Sequence, residues 1–375
     1  MDFSFTAEQD LLRDTVTEFL AARYDLESSR AAARVGAGWQ PEIWRGLAEE
    51  VGILGAGLPE SVGGIGGGPV ETMIIAEALG GALVVEPYVD TVVVGGGLLR
   101  RADGKRAEDL LSGIAAGEVI TGFAALEPRS GYDYTKVATT ARREGEDWIL
   151  DGVKIVVTAA PLATHLLVSA RLDSGEIALF AVDFDPADPP AGLTAQTYRT
   201  IDERRAADLA FEGLRLPADA LLIGNAADAI AATLDEAIAA VCAEAVGIMR
   251  KVVADTVEYT KQRKQFGVPI ASFQALQHRM VNMHLELEQA IAATYLVTLK
   301  LDAAPADRAK AASAAKATIG RAARLIGQEA VQLHGAMGMT EELAIGHFFK
   351  RLTAVQHEFG STDQHITRYA ALTRP

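Results

Sequence analysis

The chain has 375 residues, 49% of them hydrophobic and 23% charged, a length that accommodates two or three cores and a composition that excludes extended disorder. With 50 acidic against 35 basic residues it carries a formal net charge of -15, which repels phosphate backbones and anionic lipid and argues against nucleic-acid or membrane partners. The single cysteine, Cys242, permits no internal disulfide, no Cys/His grouping has metal-ligand spacing, and the opening Met1-Asp-Phe-Ser-Phe is acidic where an export signal is basic, so the expectation is a metal-free cytoplasmic protein.

In chain order, Thr6 and Gln9 form a capping-box pair ahead of a helix with Leu11, Leu12, Val16, Phe19 and Leu20 on one face. Helical periodicity recurs over 41–51, 70–79 and 107–116, predicting an all-helical N-terminal domain over 1–117. The glycine stretch 63–68 between these helices follows no strand and opens no βαβ unit, so it reads as a loop, not a dinucleotide site. From Val119 short alternating runs sit between turn signals such as Glu144-Gly145 and Asp151-Gly152. They predict strands at 137–143, 148–150, 154–157, 165–170, 177–182 and 207–211, a compact antiparallel β-domain over 118–217. Beyond Pro217 the period returns to helix near 233–264, 271–302, 305–334, 340–356 and 361–372, an antiparallel four-helix-bundle-like domain over 218–375. The fold class expected is α+β and multidomain. The low-charge run 237–249 is shorter than the ~20 residues a bilayer span requires and reads as a buried helix.

No P-loop, Gly-x-Ser-x-Gly elbow or His-Glu-x-x-His helix is present, which removes the commonest nucleotide hydrolase, esterase and zinc protease chemistries. Three longer stretches are more informative: Phe123-Ala-Ala-Leu-Glu-Pro-Arg-Ser-Gly-Tyr-Asp133 with Trp148-Ile-Leu-Asp-Gly-Val-Lys154, then Lys261-Gln-Arg-Lys-Gln-Phe-Gly267, then Val331-Gln-Leu-His-Gly-Ala-Met-Gly-Met-Thr340. In that order, with helices around a central sheet, the chain resembles the acyl-CoA dehydrogenase family over essentially its whole length. Its Met-Asp-Phe start, Gly66-Gly-Gly-Pro-Val-Glu-Thr72 and Cys242-Ala-Glu-Ala-Val-Gly247 are most similar to small subunits of the pimeloyl-CoA dehydrogenase type and related heteromeric bacterial enzymes.

The resemblance implies FAD. Arg263, Gln265 and Phe266 match a motif that in relatives holds the pyrophosphate and adenine side across a subunit interface, and guanidinium suits phosphate through bidentate, charge-assisted bonds. The bland alternative is a solvated basic helix end. Gln332, Gly335 and Ala336 fall in the second flavin motif, with Ala336 in place of the usual glycine. Phe123, Ala125, Leu126 and Thr158 match positions that face the isoalloxazine ring, Thr158 near flavin N5, and Ser361 joins the cofactor set. Leu126 stands where many relatives carry threonine, and Tyr132 where a serine near the thioester is common.

Dehydrogenation between Cα and Cβ of a thioester needs a carboxylate to take the α proton while the β hydrogen leaves as hydride. Many relatives take that base from a glutamate in a Glu-Gly-Thr segment near the carboxyl end, and here the matching place in His357-Glu-Phe-Gly-Ser361 is Phe359. Glu244 is the leading candidate, as the only charged residue in 237–249, although Lys251, Asp255 and Glu258 continue its stripe as a solvated face would. Glu358 and Glu236 are the alternatives, with a partner-borne base or none also open. His278, His284 and His334 read as packing or polar partners.

The resemblance implies an FAD-dependent acyl-CoA dehydrogenase that acts on an acyl-CoA substrate and passes electrons to an electron-transfer flavoprotein. It also implies assembly with a larger homologous subunit as α2β2, or self-tetramerisation. The rivals are a half-site or non-catalytic partner subunit, for which Phe359, Leu126 and Ala336 speak, and an acyl-CoA oxidase, against which the 375-residue length speaks.

Overall fold

The structure, a computed structural model, describes residues 4–36 and 38–374, so Met1-Asp-Phe of the opening motif lies outside the described residues. The chain begins with α1 (Ala7–Arg23), α2 (Leu26–Arg34), α3 (Pro41–Glu49) and α4 (Pro69–Gly81), then a π-helical turn (Val89–Gly95) that runs into α5 (Gly96–Leu99), and α6 (Lys105–Ala115). The capping box is present: Thr6 Oγ1 accepts from the Gln9 N–H at 3.2 Å and Gln9 Oε1 from the Thr6 N–H at 3.0 Å.

Eight strands follow: β1 (Thr121–Ala124), β2 (Thr140–Glu144), β3 (Asp147–Thr158), β4 (His165–Leu172), β5 (Ile177–Asp183), β6 (Leu193–Arg199), β7 (Arg205–Leu216) and β8 (Leu221–Ile223). The remainder is α7 (Ala227–Gln262), a tight hairpin of β9 (Lys264–Gln265) and β10 (Val268–Pro269), then α8 (Gln274–Leu299), α9 (Pro305–His334), α10 (Ala344–Val355) and α11 (Thr362–Thr373).

These elements form two compact units. The first comprises the described parts of Met1–Ser28, Pro69–Val84 and Ile238–Pro375, and the second comprises Ser29–Gly68 and Val85–Ala237. In the first unit α4 crosses α7 at backbone distance. A Cβ on Gly80 would lie 2.1 Å from the Glu244 carbonyl, and one on Gly247 would lie 1.9 Å from the Glu77 carbonyl. Only glycine permits that crossing. α8, α10 and α11 pack on the alanine-rich α9, whose small side chains allow close approach.

In the second unit the sheet runs β6-β7-β3-β2-β4-β5-β8, with β1 pairing β4. Its core is Leu150, Val157, Leu166, Val168, Phe180, Leu209 and their neighbours, all buried. Most pairings are antiparallel, but β1 and β2 both run parallel to β4. The two runs expected at 148–150 and 154–157 are one strand, β3. Register shifts at Leu150/Gly152 and Lys154/Val157 break its alternation, which is why Asp151-Gly152 reads as a turn in the sequence. β2 starts at Thr140 and not at 137, because the Ala138 and Thr139 N–H groups donate to the Glu127 carboxylate instead of a ladder. β6 is an edge strand with Leu193 as its only buried residue, so it carries no alternating apolar signal. Among the described residues no helix is long and apolar enough to cross a membrane.

Candidate active site

The candidate residues fall in both units. In the second unit, β1 and the loop after it carry Phe123, Ala125 and Leu126. Ala125 is buried, and the Phe123 ring lies parallel to Tyr134 at 6.4 Å. The loop is anchored from beneath by Lys154, a fully buried lysine whose Nζ donates to Glu127 Oε1 at 2.7 Å, Ser169 Oγ at 3.0 Å and the Ala125 carbonyl at 3.4 Å. Burial pushes the Lys154 ammonium down to about 8 against the pull of Glu127, while the Lys154 and backbone bonds outweigh burial at Glu127 and hold its carboxyl below the usual range. The backbone of the loop is tied to β3 by the Ile155 N–H donating to the Leu126 carbonyl at 2.9 Å. Thr158, at the end of β3, donates through Oγ1 to Asp90 Oδ1 on the π-helical turn. Glu236 is held by two arginines, Arg101 at 2.7 Å and Arg100 at 3.1 Å.

In the first unit, α7 ends at the β9–β10 hairpin, which projects Arg263, Gln265 and Phe266 into solvent. Phe266 is 91% exposed and adopts a left-handed φ of 55°. The Arg263 backbone is fixed by bonds to Tyr259 and Ile270, both 2.8 Å, while its guanidinium enters no ion pair among the described residues. Gln332, on the last turn of α9, and Gly335 and Ala336, just beyond it, are exposed. Gly335 has φ 63° and open space where a Cβ would stand. His334 is buried, with Nδ1 2.8 Å from the Ala330 carbonyl and its ring 4.2 Å from Tyr259, a packing role.

Glu244 faces α10. Its carboxylate receives Arg351 Nε at 2.8 Å and Nη2 at 2.7 Å, while the same guanidinium reaches Glu358 through Nη1 at 2.5 Å and Nη2 at 2.8 Å. Glu244 and Arg351 are only 4% and 2% exposed. Two of the three base candidates therefore share one buried arginine. Sequence reasoning missed Arg351, although its place on the stripe Ile345, Phe348, Leu352 and Val355 marks a charge that must be paired inside.

The turn after α10 holds Phe359 at φ 53° and Gly360 at φ 120°. Two more buried basic groups grip it. Lys316 Nζ donates to the Val355, Gly360 and Gln356 carbonyls at 2.8, 2.9 and 3.4 Å, and His365 Nε2 lies 2.9 Å from the Phe359 carbonyl. Burial lowers Lys316 to about 8 and His365 to about 4, so the imidazole is neutral near pH 7 and Nε2–H donates. Ser361 N-caps α11, accepting from the Gln364 N–H at 3.3 Å.

The fold is that of a flavoprotein oxidoreductase with helical, β and helical regions, and its donor set suits a dinucleotide cofactor. An unpaired guanidinium, two exposed amides and an open left-handed glycine are what a pyrophosphate and adenine require. Family models for the acyl-CoA dehydrogenase N-terminal, middle and C-terminal domains match residues 6–118, 122–214 and 227–371. The chain is 31% identical over 367 residues to the acyl-CoA dehydrogenase FadE12 of Mycobacterium tuberculosis, covering 92% of this chain and 90% of that one. Among solved structures it is similar to a variant of the Tcur3481-Tcur3483 steroid ACAD, with TM-score 0.88 and 27% identity over 97% of each chain. It is also similar to a glutaryl-CoA dehydrogenase from Mycobacterium smegmatis in complex with FADH2, with TM-score 0.88 and 25% identity over 98% and 95%. The chain belongs to the acyl-CoA dehydrogenase family, an oxidoreductase family whose cofactor is FAD.

Proposed function

We propose that this chain catalyses α,β-dehydrogenation of an acyl-CoA thioester as one subunit of a heteromeric assembly in the cytoplasm, with domains over 1–117, 118–217 and 218–375 and an electron-transfer flavoprotein as acceptor. Bound FAD would supply the acceptor for the β hydrogen. Arg263, Gln265 and Phe266, with Gln332, Gly335 and Ala336, would hold its adenine and pyrophosphate end. Phe123, Ala125, Leu126 and Thr158 would meet the ring, and Ser361 would close the set. The observation that carries the reading is the projecting hairpin: an almost fully exposed phenylalanine beside an arginine with no ion pair among the described residues offers an apolar and a cationic contact to a cofactor or a neighbouring subunit. The Tcur3481-Tcur3483 relative, which carries two names for one ACAD, supports a heteromer, and its description as a steroid ACAD supports a bulky or branched acyl group here.

Glu244 is the proposed base. Arg351 holds its carboxylate through two bonds, while Glu358 gives the group a second carboxylate on the same guanidinium, so Arg351 keeps a carboxylate partner when Glu244 takes up a proton. A second reading, in which the base comes from a partner subunit, is favoured by Phe359 at the usual glutamate place and by the arginine pairing of all three candidates.

The test is the visible spectrum of the purified chain, alone and with its larger homologue, before and after anaerobic addition of a panel of CoA thioesters. Bleaching of the flavin band in wild type, lost in Glu244→Gln with FAD retained, supports Glu244. Wild-type bleaching in that variant transfers the base to a partner, and protein that binds no flavin in any pairing refutes the whole reading.

A further inference from the structure

Thr158 is bracketed by two non-glycine residues in the left-handed region, Val156 at φ 53° and Ala159 at φ 59°. A β-branched residue there is strained by roughly 1–3 kcal/mol, and such strain persists only where the surroundings over-determine it. They do so here. The Val156 N–H donates to Asp208 Oδ1 at 2.9 Å, the Tyr198 hydroxyl donates to the same oxygen at 2.9 Å, and the Ala159 N–H donates to the Arg205 carbonyl at 3.2 Å. β3 thus leaves its regular ladder at the Lys154/Val157 shift and rejoins it with Val157 opposite Ala207 and Thr158 opposite Ala206.

Opposite lies a second irregularity, the π-helical turn Val89–Gly95, a form that recurs at functional sites. It too is tied down, by Thr121 Oγ1 donating to the Asp90 carbonyl at 3.3 Å and by the Thr121 N–H donating to Thr91 Oγ1 at 3.2 Å. A strained segment and an irregular one therefore meet in one side-chain bond, Thr158 Oγ1 to Asp90 Oδ1. In that bond the Thr158 hydroxyl donates and the Asp90 carboxyl oxygen accepts, so the orientation of the hydroxyl is set by Asp90.

We propose that Asp90 is a positioning residue of the flavin site: it fixes the orientation of the Thr158 hydroxyl and sets a negative charge beside the cofactor that opposes electron uptake. The proposal rests on the reading above that Thr158 faces the flavin. Nothing in the sequence around Tyr88-Val-Asp-Thr-Val signals it; the pairing exists only in three dimensions.

The experiment is a redox titration of the holoenzyme with indicator dyes, together with FAD content and the visible spectrum. It compares wild type with Asp90→Asn, Asp90→Ala, Thr158→Val and the Asp90→Ala/Thr158→Val double variant. Asparagine can still accept through its amide oxygen but carries no charge. Asp90→Asn is expected to retain FAD and to shift the oxidised-to-reduced ratio at fixed potential at least tenfold toward reduced, about 30 mV for a two-electron couple. Asp90→Ala is expected to change the shape of the flavin band in the wild-type background and to leave it unchanged on top of Thr158→Val. A ratio within twofold of wild type in Asp90→Asn overturns the proposal, and so does an Asp90→Ala spectral change that persists without the Thr158 hydroxyl. Wild-type protein without flavin is a different outcome, which overturns the parent reading as well.

Discussion

Replacing Arg351 by methionine tests the buried charge group directly. The guanidinium makes four charge-assisted bonds of 2.5–2.8 Å to two carboxylates, one of them on a residue only 4% exposed. Methionine fills similar volume but removes both of the guanidinium bonds to Glu244 between α7 and α10. Breaking a buried pair on one side costs about 3–5 kcal/mol, a large share of a typical 5–15 kcal/mol total. Removing both charges restores an apolar contact, so Glu244→Met on top of Arg351→Met is expected to recover most of the loss. Glu358→Gln acts on the more exposed partner, whose side chain is 24% exposed, and is expected to cost about 1 kcal/mol. The assay is guanidinium denaturation at fixed subunit and FAD concentration, because ligand and assembly both shift apparent stability. An Arg351→Met loss under about 1 kcal/mol, or a double variant no better than the single one, would refute the argument that Glu244 is held as a buried ion.

Three further outcomes follow from the same geometry. His365 is lowered by burial from 6.5 to about 4 in the folded protein, so the unfolded chain binds the extra proton between those values. Its contribution is fully present above pH 6.5 and is lost as the pH falls toward 4; His365→Asn should flatten that acid slope in pH-dependent denaturation. Gly247→Ala places a methyl where the Glu77 carbonyl stands 1.9 Å away, and the α4–α7 crossing should lose roughly 1–3 kcal/mol in thermal or chemical melts despite alanine's better helix propensity. Phe266→Ser should leave far-UV circular dichroism unchanged while lowering both the assembled fraction in sedimentation and the FAD retained on dilution.

Helices were the most legible part of the sequence, because their apolar stripes are long and their ends are marked. The Thr6/Gln9 box appears as read, and α9 occupies the expected 305–334. The sheet was legible in outline only. β3 hides its continuity behind bulges at Gly152 and Val156, and β6 has too little buried surface to alternate. The parallel pairings of β1 and β2 with β4 depend on chain crossings that no local pattern encodes. At the candidate site, residue types in motifs such as Arg263-Lys-Gln-Phe-Gly267 were readable, whereas the partners that decide protonation were not. Arg351 lies 107 positions from Glu244, and Asp90 lies 68 from Thr158.

The departures from local rules are concentrated where the chemistry is expected. Of the non-glycine residues with left-handed backbone, Arg129, Val156, Ala159, Phe266 and Phe359 lie within or beside a candidate motif, while Leu83 and Glu203 do not. The basic groups Arg351, Lys316 and His365 come from three different helices and converge on the turn around residues 355–360, donating to its carbonyls or to Glu358. A turn of ordinary surface function would be solvated and variable in conformation, at far lower cost than burying a lysine whose ammonium is lowered to about 8. The expense is intelligible if the turn must present residue 359 at one position and one angle. That residue is phenylalanine, and Glu358, which shares Arg351 with the buried Glu244, immediately precedes it in sequence. Phe359→Glu therefore distinguishes the two accounts of the base. If the turn still presents its side chain to substrate, the variant should gain thioester-dependent bleaching in a Glu244→Gln background. If that double variant binds FAD yet stays unreduced, the rigidity of the turn serves packing alone.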